Sequence, residues 1–120
     1  MARQVSHNQR VGNWGEQQAA AYLRRLGYNV IGQNVRTPYG EIDLLARKDD
    51  LTVFVEVKAR LSSTMGPPEV SITPRKQEHM TACAEHYAQE NGIEHWQIDV
   101  IAIERLAGQA RIVHFENVVS

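Results

Sequence analysis

Three residues in a short span set the chemical question: Asp43 in "GEIDLLA", and Glu56 and Lys58 in "FVEVKAR". Each interrupts an apolar run, and a charge buried in such a run is costly unless something pairs with it. Ile42, Leu44 and Ala46 alternate along the first run and Val53, Val55 and Val57 along the second, with Asp49-Asp50 between them. That pattern predicts a β-hairpin with both apolar sets on one face. Because a slip of one residue would turn every side chain over, the pattern also fixes the register: Asp43 lies opposite Glu56, and Glu41 opposite Lys58.

Facing side chains on neighbouring strands have Cβ atoms roughly 4.5–5.5 Å apart, so two carboxylates can reach one cation. Left alone, the two anions repel, which raises a pKa or costs stability. A hard divalent ion, Mg²⁺ or Mn²⁺, suits an all-oxygen pair and keeps waters free for phosphate oxygens. Lys58 shares a face with Glu56 and can reach the same phosphate, either to stabilise developing charge or to help deprotonate an attacking water. An ordinary ion pair between Lys58 and Glu41 is the competing reading.

The elements that must position these groups follow from pattern and punctuation. Residues 1–11 are polar and unpatterned and are expected to form a flexible arm ahead of a single domain over 12–120. Asn13 has the character of an N-cap, with Glu16 as its capping-box partner and Gly27 as the stop, which predicts a helix over about 14–26. Its apolar stripe is Ala19, Ala20, Leu23 and Leu26, and Glu16 falls on that stripe. "YNVIGQNVR" reads as a strand and "TPYG" as the turn into the hairpin. The segment 61–72, with two prolines, is expected to be a mobile loop able to close over a substrate. Thr73 caps a second helix with Pro74 at its first position and Gly92 past its end, its inward stripe being Lys76, Met80, Cys83, Ala84 and Tyr87. Two strands, 95–104 and 111–119, follow around a turn at Gly108. The order is αβββαββ, an α/β fold with a mixed central sheet flanked by helices.

Other features narrow the chemistry. Cys83 is the sole cysteine, which excludes an internal disulfide or a thiolate zinc cluster. His79 and His86 read as surface polar groups. The net charge is −1, yet residues 1–76 carry a positive balance and residues 77–120 a negative one. No apolar run reaches the roughly 20 residues that span a bilayer, and the start lacks a secretory pattern, so a cytoplasmic protein without membrane contact is expected.

The pattern of Asp43 followed by "EVK" on the next strand, with a glutamate on the preceding helix, resembles the PD-(D/E)XK, restriction-endonuclease-like superfamily. More narrowly, "GNWGEQQAAAYLRRLGY", "GEIDLLA", "FVEVKAR" and "ITPRKQ" look like the YraN-like family of small bacterial predicted endonucleases, over nearly the whole chain from residue 12. The resemblance implies a three-layer fold, a Mg²⁺- or Mn²⁺-dependent nuclease acting on DNA, and Asp43 and Glu56 as metal ligands. It further implies the Val57 carbonyl as a ligand, Lys58 as the catalytic lysine, and Glu16 as a further carboxylate, similar to archaeal Holliday-junction resolvases. Branched and single-stranded DNA are the substrate classes to consider, with a homodimer as a compatible assembly.

Arg24, Arg25 and Arg60 are expected to steer the nucleic-acid backbone, and Lys76 and Gln77 to contact it from the start of the second helix. Asp99, inside "WQIDVIAI", is either an outer partner of the site or a solvent-facing group at a sheet edge. Trp14, Tyr28, Tyr87 and Trp96 are expected in the core, leaving Tyr39 as the aromatic nearest the site. Two rivals share the pattern: a catalytically silent nucleic-acid-binding module that keeps the fold, and a scaffold whose acids only pair with neighbouring cations.

Overall fold

The structure is a computed structural model that describes residues 7–61 and 72–119. The elements are α1 (His7–Arg25), β1 (Asn29–Thr37), β2 (Gly40–Lys48), β3 (Leu51–Leu61), α2 (Pro74–Asn91), β4 (Trp96–Leu106) and β5 (Gln109–Phe115). This is the expected order. The five strands lie side by side in chain order, with β3 and β4 parallel and the other pairs antiparallel. The parallel pair requires a crossover, and α2 supplies it.

Each face of the sheet buries one helix, giving three layers. On one side Ala19, Ala20 and Leu23 of α1 pack on Leu44, Ala46, Val53, Val55, Ile101 and Ile103. On the other, Cys83, Ala84 and Ala88 of α2 pack on Ile42, Leu45, Phe54 and Ile98, with Met80 and Tyr87 alongside. Trp14 and Tyr28 pack against the first cluster and Tyr87 and Trp96 against the second, as expected of core aromatics.

Several local expectations hold with their physical cause visible. Thr73 caps α2, its hydroxyl accepting from the Lys76 N–H at 3.2 Å, with Pro74 in the first turn and Gly92 in the left-handed region closing the helix on Ala88. The β4–β5 turn is Ala107-Gly108, both with positive φ, the pairing a two-residue hairpin of matching twist demands.

Others are corrected. α1 begins at His7, so Asn13 is an exposed residue inside the helix, not a cap, and Glu16 has no capping-box role. Residues 7–11 of the expected arm are helical, while 1–6 lie outside the described residues. The loop expected over 61–72 is outside them too, except that Leu61 ends β3 and Ile72 precedes α2. Leu26 lies beyond α1 and is 44% exposed, because the chain turns at Gly27 before it can reach the sheet.

The first helix can approach β3 only because of Gly15. A Cβ there would stand 2.3 Å from the Ala59 Cβ and 3.5 Å from a Val57 methyl. A methyl fixed to a strand cannot rotate away, so Gly15→Ala should destabilise by about 1–3 kcal/mol despite alanine's better helix propensity. At Gly12 nothing lies within 4 Å, so Gly12→Ala should stabilise by up to about 1 kcal/mol. Urea denaturation of the two variants reads this contrast directly.

Candidate functional site

The β2–β3 ladder has the register expected from the sequence, running from Lys48↔Leu51 to Leu44↔Val55. At the next step the backbone pairing gives way. Val57 N–H donates to the Asp43 carboxylate at 2.8 Å, so a side chain stands where a strand carbonyl would be. Beyond this point β2 continues beside β1 (Val35↔Ile42, Arg36↔Glu41) while β3 continues beside β4 (Glu56↔Val100, Lys58↔Ala102). The two strands part company there. One consequence corrects the sequence reading: Ile42 packs with Leu45 and α2, not with Leu44 and α1.

The parting opens a cavity of about 40 Å³, lined by Glu41, Asp43 and Glu56 together with His79, Met80 and Cys83 of α2. That is room for a small ion or a water. Asp43 and Glu56 therefore border one space. In an extended strand the N–H and C=O of a residue point to the same neighbour, so the Val57 carbonyl is directed to the side on which its N–H meets Asp43.

Charge around this space is unevenly balanced. Glu56 Oε1 receives two ammonium groups, Lys58 Nζ at 3.0 Å and Lys76 Nζ at 3.2 Å. Lys58 thus pairs with its own strand neighbour and not with Glu41. Asp43 makes no direct ion pair among the described residues, although its charge acts on Lys58 from a distance. Burial first, and the charges of Glu56, Glu16 and Glu41 after it, push its pKa from 3.8 to about 6, against the opposing effect of the Val57 N–H. Burial also raises the Glu16 carboxyl, with the Asn34 hydrogen bond lowering it and Glu41 raising it. Burial and the neighbouring Lys58 lower the Lys76 pKa against the pull of Glu56. Lys58, opposed by its own burial, is raised on balance by its contacts with Lys76 and Glu56.

The remaining expected residues divide. Glu16 approaches from α1, held by Asn34 Nδ2 at 3.2 Å, and Asn34 reaches it from a left-handed backbone position, φ 50. Among the described residues, Asp43, Glu56 and Glu16 do not bring three oxygens within 4.8 Å of one another. Gln77 turns its side chain back to the Ile72 carbonyl at 3.3 Å. Arg24 and Arg25 are exposed in the last turn of α1, about 12–14 Å along the axis from Glu16. Tyr39 is 54% exposed and meets the His86 ring edge-on.

Arg60 is committed to Glu104, a β4 side chain only 1% exposed, through Nε at 2.6 Å and through Nη2. Arg111 holds the other Glu104 oxygen from β5. The three form a cross-strand row with one net positive charge, and together they hold the Glu104 carboxyl below its ordinary value, the Arg60 contact contributing most. Glu104 has its signal in the sequence, an acid closing the apolar run "VIAIE", that only a partner on each flanking strand explains.

Asp99 is neither an outer partner of the site nor solvent-facing. It is fully buried on an interior strand, accepting from Gln97 Nε2 and the Asn117 N–H at 2.9 Å each and paired with His114 Nε2 at 2.7 Å. The Tyr22 hydroxyl meets the other ring nitrogen at 3.1 Å. Asp99, His114 and Glu116 are the group of three ligand-type side chains that lies within 4.8 Å among the described residues. Both Asp99 oxygens, however, already have partners. His79 is exposed, as expected of a surface polar group, and also lines the cavity. Gly15 is the residue missed in the sequence.

The fold and site together define a three-layer mixed α/β protein with a lysine-flanked acidic cavity at the point where a hairpin opens. No helix among the described residues is long and apolar enough to cross a membrane. The chain belongs to the uncharacterised protein family UPF0102, whose model matches residues 15–103. It is similar to the UPF0102 protein of Syntrophotalea carbinolica, 39% identical over 107 residues covering 88% of this chain and 87% of the relative. The UPF0102 protein of Syntrophomonas wolfei is 41% identical over 112 residues, 92% and 97% of the two chains. That of Chloroflexus aurantiacus is 43% identical over 114 residues, 92% and 91%.

The raised Asp43 pKa makes a stability prediction. Between about 3.8 and about 6 the native protein holds a proton that the unfolded chain has released. Asp43 protonation therefore contributes stability that is full below the lower value and lost as pH rises through the upper one, by up to about 3 kcal/mol. In chelator-treated buffer, Asp43→Asn should be about 1–3 kcal/mol more stable than wild type near pH 7.5, with the gap closing by about pH 4. Urea midpoints across that range check it, and saturating Mg²⁺ should narrow the gap near pH 7.5.

Proposed function

We propose that the protein is a divalent-metal-dependent endonuclease that hydrolyses phosphodiester bonds in DNA. The observation that carries this is Asp43: a half-buried carboxylate without a direct ion pair, lining with Glu56 a cavity of about 40 Å³ while two lysines pair with Glu56 alone. A purely structural ion-pair cluster would leave neither acid uncompensated.

The donor set fits a hard ion. Asp43, Glu56 and the Val57 carbonyl would hold Mg²⁺ or Mn²⁺, with Glu16, held by Asn34, as a further carboxylate nearby. Such an ion, when bound, supplies Lewis acidity at phosphorus and a water of lowered pKa. The chain's own residues do the rest. Val57 N–H fixes Asp43 in orientation. Lys58, 43% exposed beside Glu56, offers an ammonium to a non-bridging phosphate oxygen where charge accumulates. The net positive row of Arg60, Glu104 and Arg111 provides a charged surface on the strands that continue from the site. Branched or single-stranded DNA is the proposed substrate class, for which a homodimer would supply two sites.

The test is cleavage of flap, junction and single-stranded DNA with Mg²⁺ or Mn²⁺. Wild type should cut at least one of them, and Asp43→Asn and Lys58→Ala should each lose about 10²-fold or more. Cleavage that is indifferent to metal, or variants that match wild type, would overturn the proposal. DNA binding without cleavage, insensitive to chelation, would instead identify a silent binding module.

A further inference from the structure

We infer that Lys76 is the counter-ion a divalent cation displaces from Glu56, and that the released ammonium becomes the site's second phosphate ligand. This rests on the metal-site reading above and deepens it. Two ammonium groups share one oxygen, Glu56 Oε1, from different elements: Lys58 at 3.0 Å from the same strand and Lys76 at 3.2 Å from the first turn of α2. Asp43, which borders the same cavity, makes no direct ion pair. A cation bridging the two acids, at either oxygen of Glu56, meets a carboxylate whose charge two ammonium groups already offset, so it competes with them. The more loosely held lysine yields.

The structure distinguishes the two. Lys58 is anchored two residues from Glu56 on β3, so its stem keeps it beside that carboxylate. Lys76 belongs to a separate element, and its position there is electrostatically unfavourable without an anion. It is the third residue of a helix whose first turn contains no acid, where the positive end of the helix dipole repels cations and attracts anions. Freed from Glu56, the 30% exposed ammonium would stand at that positive end, a setting for a phosphate oxygen. Divalent ion and phosphate then bind with positive coupling: the ion releases Lys76, and the phosphate holds it away from Glu56.

The experiment uses the full chain and needs no turnover. Mn²⁺ affinity is measured by the loss of the free-ion electron paramagnetic resonance signal for wild type, Lys76→Met, Lys76→Arg, Lys58→Met and Asp43→Asn. Binding of a labelled single-stranded oligonucleotide is followed by anisotropy with Ca²⁺ and with EDTA. Lys76→Met should bind Mn²⁺ on the order of five-fold tighter, the strength of one exposed ion pair, and Lys76→Arg should restore wild-type affinity. The gain in oligonucleotide affinity that Ca²⁺ brings to wild type should shrink in Lys76→Met. Unchanged or weaker Mn²⁺ binding by Lys76→Met, or tighter binding by Lys58→Met alone, would overturn the displacement. An undiminished Ca²⁺ gain would overturn the phosphate role. Absence of Mn²⁺ binding in wild type, or its retention in Asp43→Asn, would overturn the metal-site reading itself and this inference with it.

Discussion

The hydrogen bond from Val57 N–H to the Asp43 carboxylate is the constraint on which the site depends. A strand pair ordinarily satisfies each N–H with a backbone carbonyl, and an orphaned one is costly to bury. Here a side chain takes that place, so β2 can leave β3 without abandoning a donor. The departure opens the cavity, turns Ile42 toward α2 and leaves Asp43 and Glu56 together in the cavity wall. The same bond orients Asp43 and pins it in a poorly solvated position, where its negative charge is disfavoured.

Both helices converge on this opening for separate reasons. The first reaches β3 closely because Gly15 presents no side chain to Ala59, and that approach brings Glu16 to Asn34. The second begins beside Glu56 because Thr73 and Pro74 fix its first turn, which places Lys76 at the carboxylate and His79 one turn further along the cavity wall. Layer packing sets the distance between the helices and the sheet, so the charges at the rim are positioned by apolar contacts made elsewhere.

Comparison with the other buried acids shows why the cavity stands apart. Glu104 is as deeply buried as any side chain here, yet arginines from both flanking strands neutralise it. Asp99 is likewise enclosed, with Gln97, His114 and the Asn117 amide around it and Tyr22 tying that group to α1. In both, the carboxylate oxygens have partners, and both read as structural. Asp43 alone of these three acids has a single neutral hydrogen-bond donor and no direct ion pair, an arrangement that a proton or a cation relieves.

Sequence alone determined the order of elements, the hairpin register and the caps of α2, because alternation, turn chemistry and capping are local and leave direct traces in the chain. The start of α1 was not legible: the polar residues His7 to Arg10 carry no apolar stripe, and Asn13 and Glu16 imitate a capping box. Nor could the sequence say which partner each charge would choose. Lys58 selects Glu56 on its own strand over Glu41, while Arg60 selects Glu104 and Asp99 finds His114 through strand neighbours that only the assembled sheet supplies. Tertiary structure decided the distribution of charge, since an ion pair depends on which side chains are brought within reach, and for groups far apart in the chain that is fixed by packing.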